Sequence, residues 1–212
     1  MEQSSTGCDI IWLESADSTN DELRRRLERS GHLSVMAAVM QSAGRGQGDH
    51  VWHSAPGLNL TFSILMRYSL LKASDALAVT SVMTLGICDY LQARGIAPWI
   101  KWPNDIWVGD RKICGILVEN SIRAGMIDFS IVGVGLNVNQ TDWPSELPNP
   151  VSLKDLTGKV YDTHEELERL SDAISRQCAR ISVPGGAAEI IEEFSRVVVR
   201  EKPIAAIEKN TH

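Results

Sequence analysis

The sequence has no apolar run of the roughly eighteen residues that a membrane-spanning helix requires. Its opening, Met1-Glu2-Gln3-Ser4-Ser5, lacks the cationic and apolar segments of a secretion signal, so a cytoplasmic location is expected. Positive charge is in deficit: 21 Lys and Arg against 27 Asp and Glu give a formal charge of -6, with a pI near 5.4. That balance argues against an electrostatic grip on nucleic acid, which calls for a basic face, so neither nucleic acid nor membrane is expected as a partner. Cysteine is scarce. Cys8, Cys88, Cys114 and Cys178 lack the paired spacing of a zinc or redox motif and are read as reduced core residues. His50 and His53 stand three apart without a third ligand, so no metal site is expected. Internal repeats and low-complexity tracts are also lacking.

What is present suffices for one large domain, or one domain with a short appendage: 212 residues, 43% of them hydrophobic. Ile10 to Leu13 is a short apolar run. Polar residues then crowd a helix start at Asp17 to Glu22, where Thr19 and Glu22 have capping-box spacing and Leu23 and Leu27 supply an inward stripe. Such a start reads either as a well-capped helix or as a seat for a polar ligand head. Val35 to Met40 reads as a buried strand with Gln41 at its end. The following loop, Ser42 to Trp52, carries three glycines in five residues and Arg45, whose planar donor fork suits phosphate. It is neither a P-loop nor a dinucleotide fingerprint, because the Gly-Lys-Ser/Thr ending and the following helix are missing. Instead Leu60, Phe62, Ile64 and Met66 alternate as a strand.

Ala73 to Arg94 is expected to be a long core helix, closed by Gly95. After Pro98 comes Lys101-Trp102-Pro103-Asn104-Asp105, with Trp102 held extended by the following proline and Asn104-Asp105 reading as a turn. Ile106 to Val108, a turn at Gly109-Asp110 and a strand from Lys112 to Glu119 make a hairpin. Its charges fit a solvated tip or a site. From Met126 to Asn139, Val132, Val134, Leu136 and Val138 would face one side, and Gly133, Gly135, Asn137 and Asn139 the other. Two glycines and two amides make a poor core and a good floor for a flat ligand, although glycines can also mark a bulge or close helix packing. After a loop from Gln140 to Pro150, Thr163 with Glu166 opens a second capped helix carrying Leu167, Leu170, Ile174, Cys178 and Ile181. Pro184-Gly185-Gly186 breaks it, and Ala188, Ile191, Phe194 and Val198 suggest a last helix before a polar end.

In this order Ser18-Thr19-Asn20, Gln41 to Gly46 with Trp52, Lys101 to Asp105, Lys112 with Gly115-Ile116-Leu117, and Gly133-Val134-Gly135-Leu136-Asn137 resemble the catalytic domain of biotin protein ligase. The resemblance implies an α/β (α+β) domain, a mixed sheet backed by helices, of the class II aminoacyl-tRNA synthetase-like and lipoate-ligase type. It implies activation of biotin by ATP with Mg2+ to biotinyl-5'-adenylate, then transfer to one lysine of a biotin carboxyl carrier protein domain. Ser18, Thr19, Asn20 and Gln41 match biotin contacts, with Gly115, Gly133 and Gly135 as the floor beneath the ring. Arg45, Gly46 and Gln47 match the ligand-gripping loop, and Lys112 matches the lysine at the carboxylate and adenylate phosphate. Trp52, Lys101, Asn104 and Asn137 complete the adenylate side. Asp105 is the nearest carboxylate to the place where an acceptor lysine must lose its proton.

The chain departs from the family in its loop, where Gln47-Gly48-Asp49-His50 replaces further basic or amide residues and a glycine and adds a carboxylate. Residues 1–200 are expected to be the catalytic domain, with no room for an amino-terminal helix-turn-helix. Residues 201–212 would be a short tail in place of the usual SH3-like domain. The sequence leaves a homodimer open. Two rivals stand beside the ligase reading: a lipoate or octanoate ligase or transferase of the same fold, and a biotin-binding module with impaired catalysis.

Overall fold

The computed structural model describes residues 8–48 and 50–200. The opening residues Met1 to Ser5, the Asp49 carboxylate and the tail 201–212 lie outside the described residues. Eight strands form one mixed sheet: β1 (Ile10–Ala16), β2 (Val35–Gln41), β3 (Leu60–Arg67), β4 (Pro98–Lys101), β5 (Asp105–Val108), β6 (Arg111–Arg123), β7 (Met126–Leu136) and β8 (Val198–Val199). Their order across the sheet is β1-β2-β3-β7-β6-β5-β4-β8. The β1/β2 and β4/β8 pairs are parallel and the others antiparallel.

Period-two alternation divides the sheet into two faces. Val35, Phe62, Ile64, Val132, Val134 and Leu136 face the main core, which is closed by α2 (Leu77–Gln92), α4 (Thr163–Ile181) and α5 (Gly186–Val197). On the opposite face, the short helix α1 (Thr19–Arg25) packs Leu23 against Met36, Leu65 and Ile131 in a small second cluster. That face is only partly covered, and the cleft described below opens on it.

Both expected capping boxes take a different form. Helix α1 is preceded by Ser18, which makes no side-chain cap, and Thr19 is the first helical residue. The Thr19 backbone N–H donates instead to Gln41 Oε1 at 2.8 Å, so a side chain from the end of β2 satisfies the helix start. Beside it, Asp17 accepts from the Arg25 guanidinium and from the Ser18 N–H, which together hold its carboxyl down at about 2. Asp162, one residue earlier than expected, caps α4 through His164 and Glu165 N–H. Glu166 is buried under the helices, where it accepts from Tyr90 Oη and pairs with Arg94. A capping box does form at Ser152 and Asp155, where it starts α3 (Leu153–Thr157), a helix the sequence reading overlooked.

Other expectations shift at their edges. The long core helix begins at Leu77, after a 3-10 turn at Ala73–Asp75, and Gly95 takes a φ of 73° just beyond its end. In α5 the buried residues are Ile190 and Phe194 together with Gly186, while Ala188 is exposed and Val198 belongs to β8. The Trp102-Pro103 peptide bond is cis. Cys88, Cys114 and Cys178 are free and buried, and burial pushes the thiols of Cys88 and Cys178 up to about 12. Among the described residues, no helix is long and apolar enough to cross a membrane.

Gly86 sets the approach of α2 to α4: a Cβ there would stand 2.8 Å from the Ile174 Cα. Alanine gains about 1 kcal/mol of helix propensity, but a backbone neighbour cannot rotate away and overpacking costs about 1–3 kcal/mol. Gly86→Ala is therefore expected to lower stability in urea titrations, by up to about 2 kcal/mol; a stabilised variant would contradict this packing.

Candidate active site

A cleft of about 660 Å3 opens on the α1 side of the sheet. Its floor follows from the register: Gly133 of β7 lies opposite Ser63 of β3 and Leu117 of β6, and Gly135 lies opposite Thr61 and Gly115. All sixteen residues singled out from the sequence line it: Ser18, Thr19, Asn20, Gln41, Arg45, Gly46, Gln47, Trp52, Lys101, Asn104, Asp105, Lys112, Gly115, Gly133, Gly135 and Asn137. Asn139 does not join them. Its side chain is paired in both directions with the Tyr161 backbone, because β7 has already ended at Leu136.

A β-bulge brings Lys112 into the cleft. Ile106 pairs with Cys114 and Trp107 with Lys112, so β6 carries one extra residue, Ile113, at that point. The extra residue breaks the alternation: Ile113 and Cys114 are consecutive and both fully buried, while Lys112 and Gly115 share the cleft face. Lys112 Nζ lies 2.8 Å from Asp105 Oδ1 and 5.8 Å from the centre of the Trp52 ring. Segment 149–151 braces its backbone, with Lys112 N donating to Asn149 O and Val151 N donating to Lys112 O. Asn137 Nδ2 donates to Val151 O and, at 3.3 Å, to Lys112 O. Asn104 Nδ2 donates to Ile116 O, and Lys101 Nζ stands 4.6 Å from the Trp107 ring centre.

Polar side chains form a buried chain at the other end. Gln41 Oε1 accepts from Thr19 N and Oγ1, and the Ser63 hydroxyl lies within hydrogen-bonding reach of Thr19 Oγ1 and Asn20 Oδ1. Asn20 Nδ2 donates to Glu119 Oε2 at 2.6 Å. Thr19, Asn20 and Ser63 are each 3% exposed or less, so this chain belongs to the fold and not to a solvated rim.

Three expectations are corrected here. The glycine floor is not bare: a Cβ on Gly135 would overlap the Trp52 ring, one on Gly115 would touch Trp52 and Lys112, and one on Gly133 would stand 2.6 Å from Asn20 Oδ1. The Trp52 indole therefore rests on the surface assigned to the ligand. Arg45 is not a free donor fork, since Nη2 lies 2.9 Å from Asp21 Oδ1 and Nη1 3.3 Å from Glu119 Oε1. Asp105 is not a free carboxylate, being paired with Lys112.

Sequence reasoning overlooked Glu119, Asp21 and Ser63, and also Trp102, Trp107 and Trp143 of the lining. Ser63 was within reach of it, because the alternation that buries Phe62 and Ile64 puts Thr61 and Ser63 on the floor side. Four buried polar atoms of the lining have no partner among the described residues: Nε1 of Trp52, Trp107 and Trp143, and Asn137 Oδ1. An unmet buried donor or acceptor costs about 1–3 kcal/mol, which a ligand bearing polar atoms would relieve.

A mixed sheet of this kind with such a cleft defines an α/β domain with a pocket of small-molecule size, and the family follows from comparison. The model of the biotin/lipoate A/B protein ligase family matches residues 12–137, and the chain belongs to that family. The bifunctional ligase/repressor BirA of Bacillus subtilis is 34% identical over 154 residues, which are 71% of this chain and 46% of that protein. The chain thus spans about half the length of that relative. A biotin--[acetyl-CoA-carboxylase] ligase of Paracoccus denitrificans is 31% identical over 206 residues, 92% of this chain and 83% of that protein. Among solved structures, the biotin protein ligase of Aquifex aeolicus in complex with biotin and ATP superposes with a TM-score of 0.70 at 30% identity. That match covers 82% of this chain and 72% of the other.

Because the Trp52 ring rests on Gly135, Gly135→Ala is expected to displace the indole. Tryptophan emission should then shift in the variant, and should not shift when the same change is made in a Trp52→Phe background; no shift in the Trp52-containing protein would contradict the contact.

Proposed function

We propose that this chain activates biotin with ATP to biotinyl-5'-adenylate, releasing pyrophosphate, and passes biotin to one lysine of a biotin carboxyl carrier protein domain. The observation that carries this reading is the Lys112 ammonium, turned by the Ile113 bulge onto a glycine floor that ends in a buried polar chain. Membership of the family supports it, as does the likeness to a biotin--[acetyl-CoA-carboxylase] ligase and to a biotin protein ligase in complex with biotin and ATP. The cleft volume falls in the range of small-molecule sites. Free, buried thiols suit a reducing compartment such as the cytoplasm.

In the first step an oxygen of the biotin carboxylate bonds to the α-phosphorus of ATP, and the bond to the bridging oxygen of pyrophosphate breaks, with the electron pair leaving on pyrophosphate. Two anions must meet, so fixed positive charge is needed between them. Lys112 supplies it by exchanging Asp105 for the reacting oxygens. Magnesium enters as part of the nucleotide substrate. Among the described residues the lining offers one carboxylate, Asp105, already paired with Lys112, and no cluster of three metal-ligating side chains occurs. A magnesium cage made of protein does not fit this donor set, whereas an ion carried on the phosphates needs none.

In the second step the amine of the acceptor lysine bonds to the biotinyl carbonyl carbon and AMP departs, while the amine loses a proton. Asp105, released by Lys112, is the carboxylate placed to take it. The reactive anhydride needs shielding from water, and the loop of residues 42–54, whose Trp52 ring already rests on the floor, provides it.

Labelled biotin and labelled lipoate, each supplied with ATP and a carrier domain, separate the readings. Biotin incorporation is expected, whereas lipoate incorporation, or biotin binding with no pyrophosphate release, would contradict it. Lys112→Ala is expected to slow adenylate formation by about a hundredfold or more, the scale for loss of one transition-state donor; near-normal pyrophosphate release from that variant would remove Lys112 from the chemistry. Asp105→Asn is expected to retain adenylate formation and to transfer poorly to the carrier. Equal losses in both steps would reduce Asp105 to a support for Lys112.

A further inference from the structure

Glu119 lies outside the lining of the cleft, on β6, yet its two carboxylate oxygens meet two different parts of the site. Oε2 accepts from Asn20 Nδ2 at 2.6 Å, and Arg24 Nη2 lies 3.3 Å from the same oxygen. Oε1 accepts from Arg45 Nη1 at 3.3 Å, and Arg45 Nη2 reaches Asp21 at 2.9 Å. Asn20 is 3% exposed, so its amide cannot turn out to water.

An ionised carboxylate only accepts hydrogen bonds. The NH2 end of the Asn20 amide is therefore the end that faces Glu119, and Oδ1 must point the other way, toward Ser63 and the space above Gly133. An amide alone has no such preference, because its two ends are nearly the same size. At the same time the guanidinium of Arg45 is drawn to Glu119 and Asp21, and this pins the glycine loop against α1 and β6.

We infer that Glu119 is a positioning residue that fixes the Asn20 amide with its acceptor toward the ligand and, through Arg45, holds the glycine loop over the same ligand. This rests on the reading that the cleft binds biotin. The ligand group that matches an inward-facing amide oxygen is an N–H donor, such as the N–H of a cyclic urea. The two functions share one carboxylate, so losing its charge weakens both.

Glu119→Gln keeps the size and removes the charge. Its amide can present either a donor or an acceptor to Asn20, so the orientation of Asn20 is no longer dictated. Two readouts apply to the full chain. Biotin affinity, by calorimetry without ATP, is expected to fall about tenfold, the scale for one hydrogen bond to a charged group, and the KM for biotin should rise to match. Tryptic cleavage of the Arg45–Gly46 bond, followed by mass spectrometry on unliganded protein, is expected to accelerate about threefold, since exposed ion pairs contribute little each and Asp21 remains. If the wild type binds biotin but the variant binds it equally well, or if cleavage at Arg45–Gly46 is unchanged, the inference is overturned. A wild-type chain that binds no biotin instead overturns the reading of the site, and the cleavage rate still reports on the Arg45 contact. Thermal unfolding of both proteins separates these effects from a general loss of stability, which would accelerate cleavage at every site and not at Arg45 alone.

Discussion

The site depends on one extra residue in a strand. Without the bulge at Ile113, alternation along β6 would set Lys112 on the same side as Cys114, in the core beneath the sheet. A buried, unpaired ammonium is costly, so the bulge solves a folding problem and a functional one together. It exposes two consecutive apolar residues, Ile113 and Cys114, to the core, and frees Lys112 and Gly115 to share the opposite face. Asp105 then has a partner 2.8 Å away. The brace from residues 149–151 is laid along the same short stretch of backbone, so loop and bulge hold each other.

The rest of the site is assembled by withdrawing polar groups from their local roles. Thr19 and Glu22 have the spacing of a capping box, and an isolated helix would use it. Here the Thr19 hydroxyl is turned to Gln41 and Ser63, and Glu22 pairs with Arg25 and Arg26. A local rule gives way where a site is built, which is where such conflicts are expected in a natural protein. The departure at Thr163 and Glu166 is of another kind: Glu166 is taken by Tyr90 and Arg94 to join α2 to α4, away from the cleft.

Much of this was legible in the sequence. All strands and helices but α3 and β8 follow from periodicity, and the alternation from Val132 to Val138 correctly separates core from cleft. The residues grouped by family resemblance come together in one cleft because they lie at strand ends, at a helix start and in the loop that the topology gathers on the α1 face. Pairing partners could not be read. That Arg45 faces Asp21 and Glu119, or that Trp52 rests on Gly135, depends on contacts between segments as many as 83 residues apart, with no local signal in either segment. The bulge was hidden for a similar reason: Lys-Ile-Cys-Gly reads as an uninterrupted strand until its partner is aligned beside it.

The central claim is that a flat ring lies on the glycine surface while its acid end meets Lys112. A crystal structure of this chain with biotinyl-5'-adenylate tests that claim directly. The account predicts the bicyclic ring against Gly115, Gly133 and Gly135, the Trp52 indole moved off Gly135, and Lys112 Nζ transferred from Asp105 to the oxygens around the new bond. A ligand bound elsewhere, with Trp52 still on Gly135 and Lys112 still paired with Asp105, would contradict it.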